Sequence, residues 1–191
     1  MLRVLGAFRQ KTDYRRWSRP RNIYESWATR TQRAAELIPA GSRVIEFGAG
    51  KRVLERELDS SCTYVPSDLV DRGPGTFVAD LNERPLPELG TDTYDVAVFM
   101  GVLEYLRDVP GVISWLARQV PMCVVSYACA DTDAGAVDSV RSKFERLHHG
   151  WMNNFTEDQL CQMFRDGGYV MRHVEAWENQ RLFVFSLETF E

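Results

Sequence analysis

The sequence predicts a single-domain α/β fold, with a seven-stranded, mostly parallel sheet and helices on both faces. Strand-like and helical segments alternate along the 191 residues, which favours parallel strands joined by right-handed crossovers. The run Tyr94–Met100 is continuously apolar, as in a central strand covered on both faces. Two closing strand-like segments are joined by a short polar turn, which predicts an antiparallel hairpin.

The first half of the chain predicts a helix, then strands separated by a glycine loop and a second helix. Apolar residues at helical spacing indicate the first helix, which Pro39-Ala40-Gly41 ends. Pro66 suits the end of a strand rather than its middle. The predicted elements are a helix over 22–38, a strand over 43–47, a helix over 52–58, and strands over 63–65 and 76–79.

The second half predicts alternating strands and helices that end in the hairpin. Pro110 suits the first turn of a helix. Thr156 and Gln159 form a capping box, and Gly167-Gly168 end the helix that it starts. The predicted elements are strands over 94–100 and 122–128, helices over 110–119, 136–147 and 156–166, and strands over 169–176 and 181–187.

Charge is distributed unevenly along the chain. Residues 1–33 carry nine lysines and arginines against Asp13 and Glu25, a net charge of +7, so the remainder carries −11. Three interpretations stay open: an arm that folds back on the domain, a lid or substrate-recognition segment, and a contact for an acidic polymer such as nucleic acid. We divide the chain into a basic arm or lid over 1–21 and one domain over 22–191.

Composition limits the cellular setting. The four cysteines form no CxxC pair, so we expect reduced thiols, a cytoplasmic protein and no metal site. No apolar run approaches the roughly 18 residues that span a bilayer, so we expect no membrane association. The oligomeric state stays open between monomer and homodimer.

Residues with binding chemistry follow the predicted parallel strands, at the edge where such sheets hold ligands. The first strand ends in Glu46 and opens into Gly48-Ala49-Gly50, whose backbone N–H groups can approach a ligand closely. Asp68 ends the second strand, where a carboxylate can accept both hydroxyls of a ribose. Asp80 ends the third strand, and Phe99-Met100-Gly101 end the fourth.

A nicotinamide dinucleotide enzyme is the main rival interpretation of this corner. Its fingerprint, G-x-G-x-x-G, requires glycine where this chain has Val53, and a larger side chain there would push helix and strand apart. Glu46 would repel a pyrophosphate but could bind a cationic group. The acid therefore favours a ligand with a positively charged end.

These motifs resemble those of the class I S-adenosylmethionine-dependent methyltransferases, over about residues 22–187. VIEFGAG is similar to the family's first motif, YVPSD and FVADL to its ribose and adenine segments, YDVAVFMGVLEYL to its fourth-strand segment, and WMNNFTEDQLCQMFRDGGY to the region before the terminal hairpin. The family's sheet has the strand order 3-2-1-4-5-7-6, with strand 7 antiparallel.

The resemblance implies a cofactor site and names its residues. S-adenosyl-L-methionine would be the cofactor and S-adenosyl-L-homocysteine the product. Asp68 would bind the ribose, and Asp80 would contact the adenine. The cofactor-binding residues that we expect are Glu46, Gly48, Ala49, Gly50, Asp68, Leu69, Asp80, Leu81, Phe99, Met100 and Gly101.

One position departs from the family's pattern. The family's glycine loop often carries a third glycine where this chain has Arg52. Lys51 and Arg52 place two cations at a helix start, where the helix dipole disfavours each by about 0.3–1 kcal/mol. Either both side chains extend into solvent, or one meets the methionine carboxylate of the cofactor.

Methyl transfer from a sulfonium requires alignment above all, and a hydroxyl acceptor also requires a general base. His148 and His149 are the first candidates, because a neutral imidazole could take a proton near pH 7. They could instead form an exposed pair at a helix end. Asp131, after strand five, and Glu104, after strand four, are the alternative bases.

Two classes of function follow. The first is an active methyltransferase with a small-molecule acceptor, an O- or N-nucleophile such as a sugar or secondary metabolite, in a pocket shaped by Trp151 and Tyr105. Residues 100–103 lack the acidic-proline-aromatic motif of many nucleic-acid N-methyltransferases, which argues against a nucleic-acid partner. The second is a non-catalytic binding or regulatory domain that has kept the methyltransferase fold.

Overall fold

The core is one sheet of seven strands, in a computed structural model that describes residues 11–24, 27–90, 93–131 and 150–188. Along the chain the strands are β1 (Arg43–Phe47), β2 (Thr63–Asp68), β3 (Phe77–Val78), β4 (Val96–Met100), β5 (Met122–Tyr127), β6 (Tyr169–Trp177) and β7 (Gln180–Leu187). Their order is β3-β2-β1-β4-β5-β7-β6. β1 to β5 run parallel, whereas β7 is antiparallel to both neighbours. The predicted fold class and strand order are confirmed.

Helices flank this sheet. Within the described residues they are α1 (Tyr14–Trp17), α2 (Ala28–Ala35), α3 (Val53–Glu57), α4 (Val109–Leu116) and α5 (Glu157–Asp166), with 3-10 turns at Pro20–Asn22 and Leu103–Tyr105. The capping box of α5 is confirmed, because the Thr156 hydroxyl accepts from the Gln159 N–H and the Gln159 side chain accepts from the Thr156 N–H. None of these helices is long and apolar enough to cross a bilayer.

Alternation along the strands divides the core into two layers, one on each face of the sheet. On one face, residues such as Ile45 and Phe99 pack against α4 and α5. On the other, Val44, Val98 and Met100 pack with residues of α2 and α3. Glu46 follows Val44 by two positions, so its side chain is carried on the α2 face.

Three predicted boundaries need correction. The second strand, expected over 63–65 with Pro66 beyond its middle, runs on through Pro66 to Asp68. The helix expected over 22–38 is shorter, because Ile23 is extended at φ −104° and α2 begins only at Ala28. The third strand contains two residues instead of four, since turns at Gly73 and Gly75 precede it. The helix predicted over 136–147 lies outside the described residues.

Candidate functional site

A cavity of about 480 Å³ is lined by residues at the carboxyl ends of the parallel strands. Glu46, Asp68 and Asp80 all line it, so the three carboxylates expected to act together share one cleft. The other predicted cofactor contacts in its wall are Gly48, Ala49, Gly50, Leu69, Leu81, Met100 and Gly101.

Phe99 is a predicted cofactor contact that the structure places elsewhere. Its ring stacks on Phe47 with centroids 4.9 Å apart, in the layer that α4 and α5 cover. Because side chains alternate along a strand, Phe99 and Met100 point to opposite faces, and Met100 is the one that lines the cavity. The continuous apolar run of β4 gave no sign of which residue faces the site.

The loop after β1 requires glycine at its first position. Gly48 has φ +73°, and a Cβ there would lie 2.6 Å from Val102 Cγ2. The loop is fastened to β2, since the Ala49 N–H donates to Ser67 O (3.0 Å) and the Gly50 N–H donates to Asp68 Oδ2 (2.9 Å). Bare backbone therefore forms this part of the cavity wall.

Glu46 is a buried carboxyl at the floor of the cavity, only 3% exposed. Tyr64, on the neighbouring strand, donates its hydroxyl to Glu46 Oε2. Burial raises the pKa of Glu46 to about 8, although the Tyr64 hydrogen bond acts in the opposite direction. A nearby cation would lower that pKa and restore the carboxylate, so the residue is suited to a positively charged ligand group.

Arg30 faces the same cavity and was missed by the sequence prediction. It is 7% exposed, and its two terminal nitrogens donate to Gln180 Oε1 (2.7 Å) and Met100 O (3.1 Å). Its Nε is buried with no acceptor among the described residues. Burial lowers the pKa of Arg30, and the carboxylates of Glu104 and Glu46 oppose that shift. The overlooked signal was an arginine on the apolar face of a helix, between Trp27 and Ala34.

Asp68, the expected ribose acceptor, contacts its own chain through both oxygens. Oδ1 accepts from the Leu69 N–H (2.7 Å) and from Arg72 Nη2 (3.0 Å). Oδ2 accepts from Gly50 and lies 3.0 Å from Arg72 Nε. The ion pair is buried, with side chains 6% and 8% exposed. The sequence prediction did not include Arg72, which also lines the cavity.

Part of the basic arm forms another wall of the cavity. Tyr14 Oη donates to Asp80 Oδ2 (2.9 Å), and Asn82 Nδ2 donates to Thr12 Oγ1 (3.1 Å). Arg72 Nη2 donates to the carbonyl of Trp17 (2.6 Å). Of the three interpretations of the arm, these contacts favour a segment that folds on the domain.

Aromatic residues surround the end of the cavity next to the arm. The rings of Trp17 and Tyr105 meet edge to face with centroids 4.9 Å apart, and the Arg16 guanidinium lies 4.4 Å from the Trp17 centroid. Burial raises the pKa of Tyr105 to about 12, so its hydroxyl stays protonated at neutral pH. The Nε1–H of Trp151 donates to that hydroxyl (3.0 Å). Trp151 itself does not line the cavity, whereas Met152 does.

Comparison with known proteins identifies the family. A family model described as a methyltransferase domain matches residues 17–174. The chain belongs to this methyltransferase-domain family. The resemblance to class I S-adenosylmethionine-dependent methyltransferases is thereby confirmed. No curated protein sequence matches the chain.

Solved structures share the fold of this methyltransferase domain. The Burkholderia thailandensis 1,6-didemethyltoxoflavin-N1-methyltransferase, solved with 1,6-didemethyltoxoflavin and S-adenosylhomocysteine, is 14% identical over 86% of this chain and 80% of its own, with a TM-score of 0.62. The mitomycin 7-O-methyltransferase MmcR is 14% identical over 88% of this chain and 56% of its own, with a TM-score of 0.65. At these identities the similarity concerns the fold.

A third structure is the calicheamicin-biosynthesis methyltransferase CalO1 with bound S-adenosylhomocysteine. It is 18% identical over 85% of this chain and 54% of its own, with a TM-score of 0.61. The methyltransferase domain described here thus spans about half the length of several of the structures that it matches.

The general base of the methyltransferase domain stays a prediction. His148 and His149 lie outside the described residues. Asp131 is exposed and accepts from the Glu157 N–H (3.1 Å) at the start of α5. Glu104 is 1% exposed and accepts from the Ala128 N–H (3.0 Å). Neither carboxylate lines the cavity, so the geometry of the described residues adds no support to these two assignments.

Arg52, at the position of the family's third glycine, adopts the left-handed conformation that favours glycine, with φ +54°. Its side chain donates to Pro74 O (3.0 Å) and Glu55 Oε1 (2.7 Å). It therefore extends neither into solvent nor into the cavity wall, which includes Lys51 instead.

Proposed function

We propose that this chain is an S-adenosylmethionine-dependent methyltransferase that acts on a small molecule through an oxygen or nitrogen nucleophile. The observation that carries the proposal is the placement of Glu46, Asp68 and Asp80 around a glycine loop in one cavity. Buried carboxylates are unfavourable unless they are paired or meet a ligand. Two buried carboxyl groups, Glu46 and Asp68, together with the partly buried Asp80 suit a ligand rich in hydroxyl and amino groups.

The wall residues fit the parts of this cofactor. Asp68 accepts the ribose hydroxyls, and Asp80 lies on the adenine side. Glu46 receives the amino group, because a cation there lowers the pKa that burial has raised to about 8. Arg30 receives the carboxylate of the amino-acid end, which gives its buried Nε an acceptor. When bound, the cofactor supplies a methyl group already activated on a positive sulfur.

The protein's contribution to catalysis is then position and exclusion of water. Bare backbone at Gly48 allows close approach on one side, and the arm covers the cavity on the other. The neutral hydroxyl of Tyr105 is available to orient an acceptor. The histidines at 148 and 149 remain the predicted bases for a hydroxyl acceptor.

The acceptor compartment that we infer has aromatic walls. Trp17, Tyr105 and Met152 offer apolar surface, and Arg16 adds a positive charge beside them. Such a surface suits a flat small molecule rather than a polymer. By their names, the toxoflavin and mitomycin enzymes methylate small molecules, one at nitrogen and the other at oxygen.

One observation favours the alternative of a non-catalytic binding domain. Arg72 already pairs with Asp68 in a buried ion pair. If that pair persisted in the presence of ligand, a ribose would find no acceptor at this position.

Calorimetric titration with S-adenosylhomocysteine tests the proposal. We expect binding by the wild type and a loss of about 30-fold or more in Asp68→Asn, because an amide nitrogen presents donors where ribose hydroxyls need acceptors. Asp71→Asn, three positions further along and exposed, is the control and should bind like the wild type. No binding by the wild type at millimolar ligand would refute the cofactor assignment and leave the alternative.

A further inference from the structure

Arg72 occupies the part of Asp68 that a ribose needs. Each carboxylate oxygen faces one backbone N–H and one guanidinium nitrogen: Gly50 N and Arg72 Nε at Oδ2, and Leu69 N and Arg72 Nη2 at Oδ1. A carboxylate offers about four acceptor positions, and hydrogen bonds from Gly50, Leu69 and Arg72 Nη2 take three of them. Arg72 Nε makes no hydrogen bond but lies 3.0 Å from Oδ2, where it blocks the approach of a ligand to the fourth. A ligand that uses Asp68 as a diol acceptor must displace Arg72.

The same guanidinium holds the arm segment, which we define as residues 11–24. Arg72 Nη2 donates to Trp17 O as well as to Asp68 Oδ1. A second contact also joins the arm segment to an acid of the expected cofactor site: the Tyr14 hydroxyl donates to Asp80, which is expected on the adenine side. Both acids expected to hold the adenosine are therefore linked to the arm segment.

We propose that Arg72 sets the affinity for the cofactor by competing with its ribose for Asp68, and that ribose binding loosens the arm segment. This inference rests on the proposed function, since it takes Asp68 as the ribose acceptor. Arg72 is a positioning residue in this scheme, because it acts through Asp68 and the arm segment.

The local structure allows such an exchange. Asp68 keeps two backbone donors, from Gly50 and Leu69, when the guanidinium leaves, so its carboxylate stays oriented. Arg72 lies in a loop in which Asp71, Pro74 and Gly75 are exposed, so its side chain can rotate into water. Trp17 O then loses its donor, and the arm segment keeps its contacts with Asp80 and Asn82.

Removing the competitor should tighten binding. If the form with Asp68 released is populated at about one part in ten, Arg72→Gln should lower the Kd for S-adenosylhomocysteine by about 5–20-fold. Arg52→Gln is the matched control, because Arg52 lies near the same loop but bonds Pro74 O and Glu55 instead of Asp68. The Kd of Arg52→Gln for S-adenosylhomocysteine should stay within about twofold of the wild-type value. Weaker or unchanged binding by Arg72→Gln would overturn the inference.

A ligand without the diol separates ribose competition from other effects. With 2′,3′-dideoxy-S-adenosylhomocysteine, the gain from Arg72→Gln should disappear, because that ligand makes no demand on Asp68. An equal gain with both ligands would show that Arg72 acts on another part of the site. Arg72→Lys keeps the charge without the planar fork, so its Kd should fall between those of the wild type and Arg72→Gln.

Limited trypsin digestion measures how accessible the arm segment is to the protease. In the wild type, S-adenosylhomocysteine should accelerate cleavage after Arg15, Arg16 and Arg21, whereas Arg72→Gln should be cleaved rapidly with or without ligand. Protection of these sites by the ligand would overturn the loosening step. Failure of the wild type to bind any S-adenosylhomocysteine would instead refute the proposed function, so the two failures are distinguishable.

Discussion

The two sides of the cavity are held in different ways. The strand side, with Glu46, Gly48 and Asp68, belongs to the parallel sheet and is fixed by ladder pairing and backbone N–H groups. The arm side is held within the described residues by hydrogen bonds of Tyr14, Thr12 and the Trp17 carbonyl to side chains, and by the Trp17–Tyr105 ring contact.

This difference indicates that the two sides of the cavity have separate roles. The strand side cannot move without disturbing the core, whereas each hydrogen bond of the arm side contributes only about 0.5–1.5 kcal/mol. A rigid side suits the cofactor that the whole family uses, and a detachable side suits an acceptor that differs from one member to another. Substitutions on the strand side should therefore have larger effects than substitutions on the arm side.

Gly48→Ala should have the largest effect, a loss of about 3 kcal/mol in the free energy of unfolding, because it adds a clash with Val102 to an unfavourable φ. Gly41→Ala is the matched control, since Gly41 has φ +77° with no atom near its added Cβ, and should cost about 1 kcal/mol. Urea unfolding measures both. Equal losses would mean that the close approach to Val102 contributes nothing.

Arg30→Met should weaken S-adenosylhomocysteine binding by about 10–100-fold, the value of a charge-assisted hydrogen bond to a carboxylate. Binding of 5′-methylthioadenosine, which lacks the amino-acid end, should change by less than about threefold. Arg33→Met, one turn away and paired with Glu175, is the control. A similar loss for both ligands would place Arg30 outside the amino-acid subsite.

Glu46 predicts a pH dependence of stability. Its pKa is about 8 in the fold against an ordinary value of 4.5, so between these values the unfolded chain releases a proton that the folded chain keeps. The free energy of unfolding therefore falls as pH rises through this window, by about 2–4 kcal/mol relative to Glu46→Gln. Urea unfolding at pH 5 to 8 measures the difference.

The same substitution should act in the opposite direction on binding. Glu46→Gln is more stable than the wild type at pH 8 but should bind S-adenosylhomocysteine about tenfold more weakly, because it loses the charge that meets the amino group. Parallel pH profiles of unfolding for the two proteins would contradict the raised pKa of Glu46. Unchanged affinity in Glu46→Gln would remove Glu46 from the cofactor site.

Tyr14→Phe, on the arm side, should have the smallest effect. It removes one half-exposed hydrogen bond to Asp80, so the free energy of unfolding should fall by less than about 1 kcal/mol. Affinity for S-adenosylhomocysteine should stay within about threefold of the wild type. A loss as large as that of Arg30→Met would contradict the contrast between the two sides.

Local signals in the sequence predicted the strand side well. The alternation of strands and helices, the capping box at Thr156 and the convergence of Glu46, Asp68 and Asp80 follow from periodicity, local motifs and the position of strand ends. The order of the strands within the sheet came from the resemblance to the family. Phe99 was misplaced because a buried central strand is apolar on both faces and hides its alternation.

Contacts between distant residues were beyond local patterns. Tyr14 meets Asp80 across 66 positions, and Arg30 meets Met100 across 70. Arg72 follows Asp68 by four positions, but the loop geometry that turns its guanidinium back onto the carboxylate has no periodic signature. The sequence indicated the basic arm as a cluster of positive charges, but only the fold shows which acidic residues the arm contacts.

A crystal structure with S-adenosylhomocysteine would give the distances from the ligand atoms to Glu46 and Asp68. We expect both ribose hydroxyls within about 2.6–3.2 Å of Asp68, and the amino nitrogen within the same range of Glu46. An adenosyl group bound away from the Gly48 loop, with Arg72 still paired to Asp68, would contradict this assignment.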